Sequence, residues 1–131
     1  MELLSEKGER VALDTNMLTA ISQFRVDVLD GIEEVLGKSS LIVPMQVVSE
    51  LEVMVEKGGK LGKAAKLALD IISEKGIEKV KVDAENADSA LLKLSGQGFK
   101  IATNDRELRK AVKKSSGHVL YLRQKKKLEL D

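Results

Sequence analysis

Two short apolar runs, Val11 to Leu13 ending at Asp14 and Leu41 to Val43 ending at Pro44, have the length and continuity of strands buried on both faces. Between them, Asp27 predicts an N-cap for a helix over Val28 to Leu36, while Met17 to Phe24 fits either helix or loop, with a short turn favoured. Pro44 suits the first turn of a helix, and Val47, Val48, Leu51, Met54 and Val55 then recur at helical spacing until Gly58 and Gly59 interrupt them. A second amphipathic helix over Lys60 to Lys75 closes at Gly76 and leads into an alternating strand, Glu78 to Val82. Asp83 or Asn86 can cap the next helix, which runs to Ser95 with Gly96 as its stop. Phe99 to Thr103 predicts a strand, Asp105 to Lys114 a basic helix, and Val119 to Leu122 a last strand before a charged tail.

Strands alternating with helices predict an α/β fold, a single three-layer domain over residues 1–131 with a mainly parallel central sheet and helices on both faces. In such sheets ligands bind beyond the carboxyl ends of the strands. A chain of 131 residues suits one core. No run approaches the ~20 apolar residues of a membrane span. The acidic start (Glu2, Glu6, Glu9) is unlike a signal peptide, so the expectation is a cytoplasmic protein without membrane partners.

Composition narrows the chemistry. With no cysteine and a single histidine, His118, thiolate and imidazole clusters are excluded, and any metal must be held by oxygen. Phe24, Phe99 and Tyr121 are the only aromatic residues, too few for a surface that stacks nucleic-acid bases; Phe99 and Tyr121 read as core. Charge is uneven: residues 1–99 carry a net −5 and residues 100–131 a net +6. The basic C-terminal tail, 123–131, and the preceding basic helix could contact a polyanion, or could be a solvated face.

Carboxylates follow two of the strands, in Leu13-Asp14-Thr15-Asn16 and Ala102-Thr103-Asn104-Asp105. Either aspartate alone reads as a helix cap; together they place two carboxylates at the ligand-binding edge. On a helical wheel Asp88 falls between Leu91 and Leu92, within the arc of Ala84, Ala87 and Leu94. A carboxylate facing the core is costly unless it meets a cation, a metal or a water-filled cleft. Glu50 and Glu52 lie at opposite edges of the apolar stripe that follows Pro44, and the wheel does not choose between them. Gly58 to Ala64 looks like a phosphate loop but lacks its first glycine and its Ser or Thr, so it reads as a linker into a helix.

In order and spacing, Leu13-Asp14-Thr15-Asn16, Ser49-Glu50-Leu51, Ala87-Asp88-Ser89-Ala90 and Thr103-Asn104-Asp105-Arg106 resemble the acidic motifs of PIN-domain ribonucleases. The resemblance implies a PIN-like fold and a metal-dependent endoribonuclease that hydrolyses RNA phosphodiesters. Asp14, Glu50, Asp88 and Asp105 would then be the catalytic carboxylates. Gathered together they repel one another unless Mg²⁺ or Mn²⁺ neutralises them. Asn16, Thr103 and Asn104 would orient waters or carboxylates from behind. RNA contacts are expected from Arg106, Arg109, Lys113, Arg123, Lys125, Lys126 and Lys127. The segments Gln23-Phe24-Arg25-Val26-Asp27, Thr103 to Leu108 and Tyr121-Leu122-Arg123 are similar to the PIN nucleases of small-subunit ribosomal RNA processing and their archaeal relatives, which implies a ribosomal precursor as substrate. A toxin-type PIN ribonuclease and a non-catalytic RNA-binding or assembly module on the same fold are the alternatives, and a homodimer or a protein partner stays open. A phosphoacceptor receiver domain fits less well, because it needs an acceptor Asp at the end of the third strand, where Val82-Asp83 is followed by helix, and the first strand has no paired acidic residues.

Overall fold

The computed structural model of the chain describes residues 8–131; the acidic start read at Glu2 and Glu6 lies outside them. Strand β1 (Glu9–Leu13) is followed by α1 (Thr15–Gln23) and α2 (Val28–Leu36), then β2 (Ser39–Pro44), α3 (Met45–Lys57) and α4 (Gly59–Glu74). The second half runs β3 (Glu78–Val80), α5 (Ala87–Gly96), β4 (Lys100–Ala102), α6 (Arg106–Lys114), β5 (Val119–Arg123) and β6 (Lys127–Leu130). No helix among the described residues is long and apolar enough to cross a membrane.

The six strands form one sheet in the order β3-β2-β1-β4-β5-β6. All neighbours are parallel except β5 and β6. Successive strand residues point to opposite faces, yet Val11, Ala12 and Leu13 all have 0% exposure. Both faces of the central strand are therefore covered by helices, the three-layer α/β arrangement that the alternation predicts. From β1 the chain builds outward first to β2 and β3, then returns to β4 and β5 on the other side. The direction of winding thus reverses between β1 and β4, and a crevice opens beyond their carboxyl ends.

Several boundaries differ from the sequence expectation, each for a local reason. Residues 15–23 form a helix rather than a short turn. Nine residues are too few for a helix to persist in water, but Met17, Leu18 and Ala20 are buried in the core and stabilise it. Pro44 closes β2 and stands at the N-cap of α3, one residue before the helix proper. Strand β3 stops at Val80 instead of Val82, because the Gln46 side-chain amide takes the Val82 and Ala84 carbonyls at 2.7 and 2.9 Å. Asn86, not Asp83, caps α5 by accepting from the Ser89 N–H at 2.8 Å. Phe99 and Tyr121 sit half-buried at the margin of the core, with the Arg10 and Arg109 guanidinium groups over their rings at 4.4 and 3.7 Å.

The largest difference lies at the C-terminus, where β5 is not the last strand. Residues 127–130 pair antiparallel with β5, so the segment read as a tail is half of a hairpin. Leu128 is 3% exposed beneath α2, and a Cβ placed on Gly31 would come within 2.8 Å of its Cδ2. The hairpin turn puts Gln124 and Lys125 at φ of 53° and 59°, a left-handed conformation usually signalled in sequence by Gly, Asn or Asp. Without those residues the turn was silent.

Leu128→Ala should lower unfolding stability in urea by about 2–4 kcal/mol, as expected for truncation in a packed core. Leu130→Ala, at a residue 44% exposed, should cost less than about 1 kcal/mol. Equal, small losses for both would mean that residues 127–130 do not close the core.

Candidate active site

Four acidic residues from four different elements line a single cavity of about 420 Å³ at the reversal of the sheet: Asp14, Glu50, Asp88 and Asp105. Asp14 follows β1, where the Asp14 N–H still donates to the Ala102 carbonyl of β4 at 3.0 Å. Its Oδ1 accepts from the Thr15 N–H at 2.7 Å, so it also caps α1. Its Oδ2 accepts from the Thr103 hydroxyl at 2.6 Å. Thr103 is fully buried, and its Oγ1 in turn accepts from the Asp105 N–H at 3.1 Å. One hydroxyl thereby couples the positions of the two strand-end aspartates.

Asp105 caps α6 by accepting at Oδ1 from the Glu107 and Leu108 N–H groups, 2.9 and 3.3 Å away. Capping and cavity lining are compatible at both aspartates, since each uses the carboxylate's breadth. Asp88 has no capping duty, because Asn86 performs it. It projects from the first turn of α5 at the rim of the core, exposed to the cavity rather than buried among Leu91 and Leu94. That outcome is the water-filled cleft allowed by its position on the wheel. Glu50 reaches the cavity from α3 and accepts from the Thr15 hydroxyl at 2.5 Å. Glu52, at the other edge of the helix, is exposed and does not line it.

The supporting residues divide. Asn16 Oδ1 accepts from the Asn104 N–H at 3.0 Å, which fixes the loop after β4 against α1. The Asn104 side chain turns away, its Oδ1 accepting from the Leu122 N–H at 2.9 Å, so it fastens β5 instead of orienting the carboxylates. Thr15 gains a role that capping alone did not suggest, since it holds Glu50. The only sequence signal for this was its place directly after Asp14.

The basic residues expected to contact RNA are split between two surfaces. Arg106, Arg109 and Lys113 line a cavity on α6 together with Lys110 and Lys114. Lys125, Lys126 and Lys127 line another cavity, opposite Asp27, Asp30 and Glu34. Arg123 is paired with Glu129 at 3.1 Å.

Electrostatics set the cavity's chemistry. Burial, opposed in part by the Thr103 and Thr15 hydrogen bonds and reinforced by Asp88 and Glu50, raises the Asp14 carboxyl from 3.8 to about 6. Burial, then Asp105 and Glu50, also pushes Asp88 upward. Among the described residues no three carboxylate or imidazole groups are drawn together tightly enough to grip one ion as they stand. The donors nevertheless suit a hard divalent cation: all are oxygens, and they face one another across a shared space with like charges unrelieved.

A family model described as "PIN like domain" matches residues 11–125. No curated protein matches the chain in sequence. Among solved structures, the PIN domain endonuclease Utp24 is similar at a TM-score of 0.75 and 22% identity, over 93% of this chain and 90% of that one. A domain of a functionally unknown protein from Methanocaldococcus jannaschii DSM 2661 follows at 0.64 and 19%, over 88% and 92% of the two chains. VapBC2 from Rickettsia felis, bound to a DNA fragment from its promoter, gives 0.58 and 16%, over 77% and 92%. At these identities the structural likeness is one of fold.

Because the Asp14 pKa is raised on folding, the native state holds this proton more tightly than the unfolded chain does. In chelator its contribution to stability therefore declines as pH climbs from about 4 to 6 and stays unfavourable above, by on the order of 2–3 kcal/mol. Asp14→Asn should be more stable than the wild type at pH 7.5 in EDTA, and the advantage should vanish near pH 4. Urea melts across that range check this; a variant less stable at pH 7.5 contradicts it.

Proposed function

The chain belongs to the PIN-like domain family, and we propose that it is a divalent-metal-dependent endoribonuclease whose cleavage site is the carboxylate cavity. The observation that carries this reading is the convergence of Asp14, Glu50, Asp88 and Asp105 from four elements on one cavity at the sheet reversal. A scaffold without chemistry gains nothing from four facing carboxylates, two of them with raised pKa.

Asp14, Asp88 and Asp105 would hold Mg²⁺ or Mn²⁺, with Glu50 as a direct or water-mediated contributor; when bound, such an ion would supply positive charge for the phosphodiester and lower the pKa of a water. Thr103 keeps Asp14 and Asp105 in register, since its single hydroxyl accepts from one backbone and donates to the other side chain. Thr15 holds the Glu50 carboxylate toward the cavity, and Asn16 secures the loop that carries Asp105. These contacts fix the carboxylates before substrate arrives, as efficient electrostatic catalysis requires.

A role in ribosomal RNA processing, in the cytoplasm, is the finer assignment. Its support is the resemblance of Gln23 to Asp27 and Tyr121 to Arg123 to that branch. On that resemblance a ribosomal precursor is favoured over a toxin's target.

With a single-stranded oligoribonucleotide and Mg²⁺ or Mn²⁺, Asp14→Asn, Asp88→Asn and Asp105→Asn should each reduce cleavage by roughly 100-fold or more. Glu50→Gln should reduce it about 10- to 100-fold, and Glu52→Gln should leave it unchanged. Full activity in EDTA, or full activity of Asp14→Asn with metal, would reject the reading.

A further inference from the structure

The cavity on α6 plays no part in the carboxylate site, yet its lining is almost entirely cationic. About 600 Å³ in volume, it is lined by Arg106, Arg109, Lys110, Lys113 and Lys114 with one acid, Asp131. The five cations fall at i, i+3, i+4, i+7 and i+8, a single stripe along the helix. Like charges at that spacing disfavour a helix, while Lys113 and Lys114 in the last turn and the Glu107–Lys110 pair at 3.8 Å favour it. It runs about 12 Å at 1.5 Å per residue and starts at the residue next to Asp105.

Asp131 shows what this stripe binds. Its Oδ2 accepts from Arg109 Nε at 2.8 Å, and its Oδ1 lies 3.3 Å from Lys113 Nζ. Its backbone is pinned by reciprocal hydrogen bonds with Val119 of 2.7 and 3.2 Å, so the carboxylate is placed by the sheet. One planar oxyanion thus already bridges two cations in the cavity. About a third of each partner is exposed, apart from a more exposed Lys113, and ion pairs this open to solvent add little to stability. A phosphate group can replace the carboxylate at little cost.

We propose that the α6 cavity receives a backbone phosphate of the RNA strand flanking the bond at the carboxylates, and that Asp131 occupies it in the free protein until that phosphate displaces it. The hairpin surface is the weaker competitor. There Arg25, Lys125, Lys126 and Lys127 face Asp27, Asp30 and Glu34, four cations against three carboxylates, where the α6 cavity is lined by five against one, with Glu107 beside it paired to Lys110 at 3.8 Å. The proposal rests on the ribonuclease reading for the identity of the polyanion.

Binding of a fluorescent single-stranded oligoribonucleotide to the full chain, measured in EDTA at several salt concentrations, tests this apart from cleavage. Replacing Lys110, Lys113 and Lys114 together by Ser should raise Kd at least about tenfold and flatten the log-log salt slope by roughly 2, at about 0.7 per contact. The equivalent change at Lys125, Lys126 and Lys127 should have the smaller effect. Asp131→Asn should tighten binding severalfold and steepen the slope. Glu129→Gln, an equal change of charge on the Arg123-paired carboxylate outside the cavity, should not match it. Circular dichroism melts identify any variant that has lost its fold, and the Asp131→Asn against Glu129→Gln comparison stands without the lysine variants. The proposal is overturned if the wild type does not bind, if the α6 triple variant binds as before, if the hairpin triple loses more, or if the two acid variants behave alike. RNA bound but never cleaved with metal present defeats the nuclease reading and leaves this site standing; cleavage with unaltered binding in the α6 triple does the reverse.

Discussion

The Thr103 hydroxyl bridges two strand ends that the chain reaches 89 residues apart, donating to Asp14 Oδ2 and accepting from the Asp105 N–H. Asp14 is 5% exposed and Thr103 is wholly buried. A carboxylate so far from water is tolerated only with donors at hand, and the fold provides them by bringing β1 and β4 side by side at the reversal of the sheet. Three of the four cavity acids are registered to that contact, while Asp88 is placed separately by the first turn of α5. Asp105 follows from the same hydroxyl, and Glu50 follows from Thr15, whose N–H also binds Asp14.

This arrangement leaves a surplus of negative charge where winding reverses, and the basic stripe of α6 begins one residue beyond it. On the proposed polyanionic substrate the two features would complement each other, the carboxylates through a cation and the α6 cations through phosphates. With few aromatic rings to stack bases, such binding would rest on the backbone.

Much of this was legible in the chain itself. Leu13-Asp14 and Ala102-Thr103-Asn104-Asp105 each read as a helix cap when taken alone, and only the pair, at the ends of two buried strands of one sheet, points to a shared site. Asp88 was visible as a charge on the wrong arc of a wheel, although the arc could not tell a buried side chain from one at the rim. Glu50 was not separable from Glu52, because both edge the same stripe and only the packing of α3 beside α1 decides which faces the cavity. Helix α1 was hidden because its stability comes from tertiary burial of Met17, Leu18 and Ala20. Strand β6 was hidden because Gln124 and Lys125 adopt left-handed φ without the residues that usually advertise such a turn. The division of the basic residues into two surfaces followed from that hairpin, and it could not be seen while residues 123–131 were read as a tail.

Burial and neighbouring carboxylates disfavour the charge on Asp14, and under the proposed function a bound cation would relieve it. Titration of the Asp14 side-chain carboxyl carbon by NMR, with and without Mg²⁺, tests this most directly. A midpoint near 6 is expected in EDTA, falling well below the ordinary value of 3.8 when Mg²⁺ is present. A midpoint near 4 that Mg²⁺ does not move would contradict it.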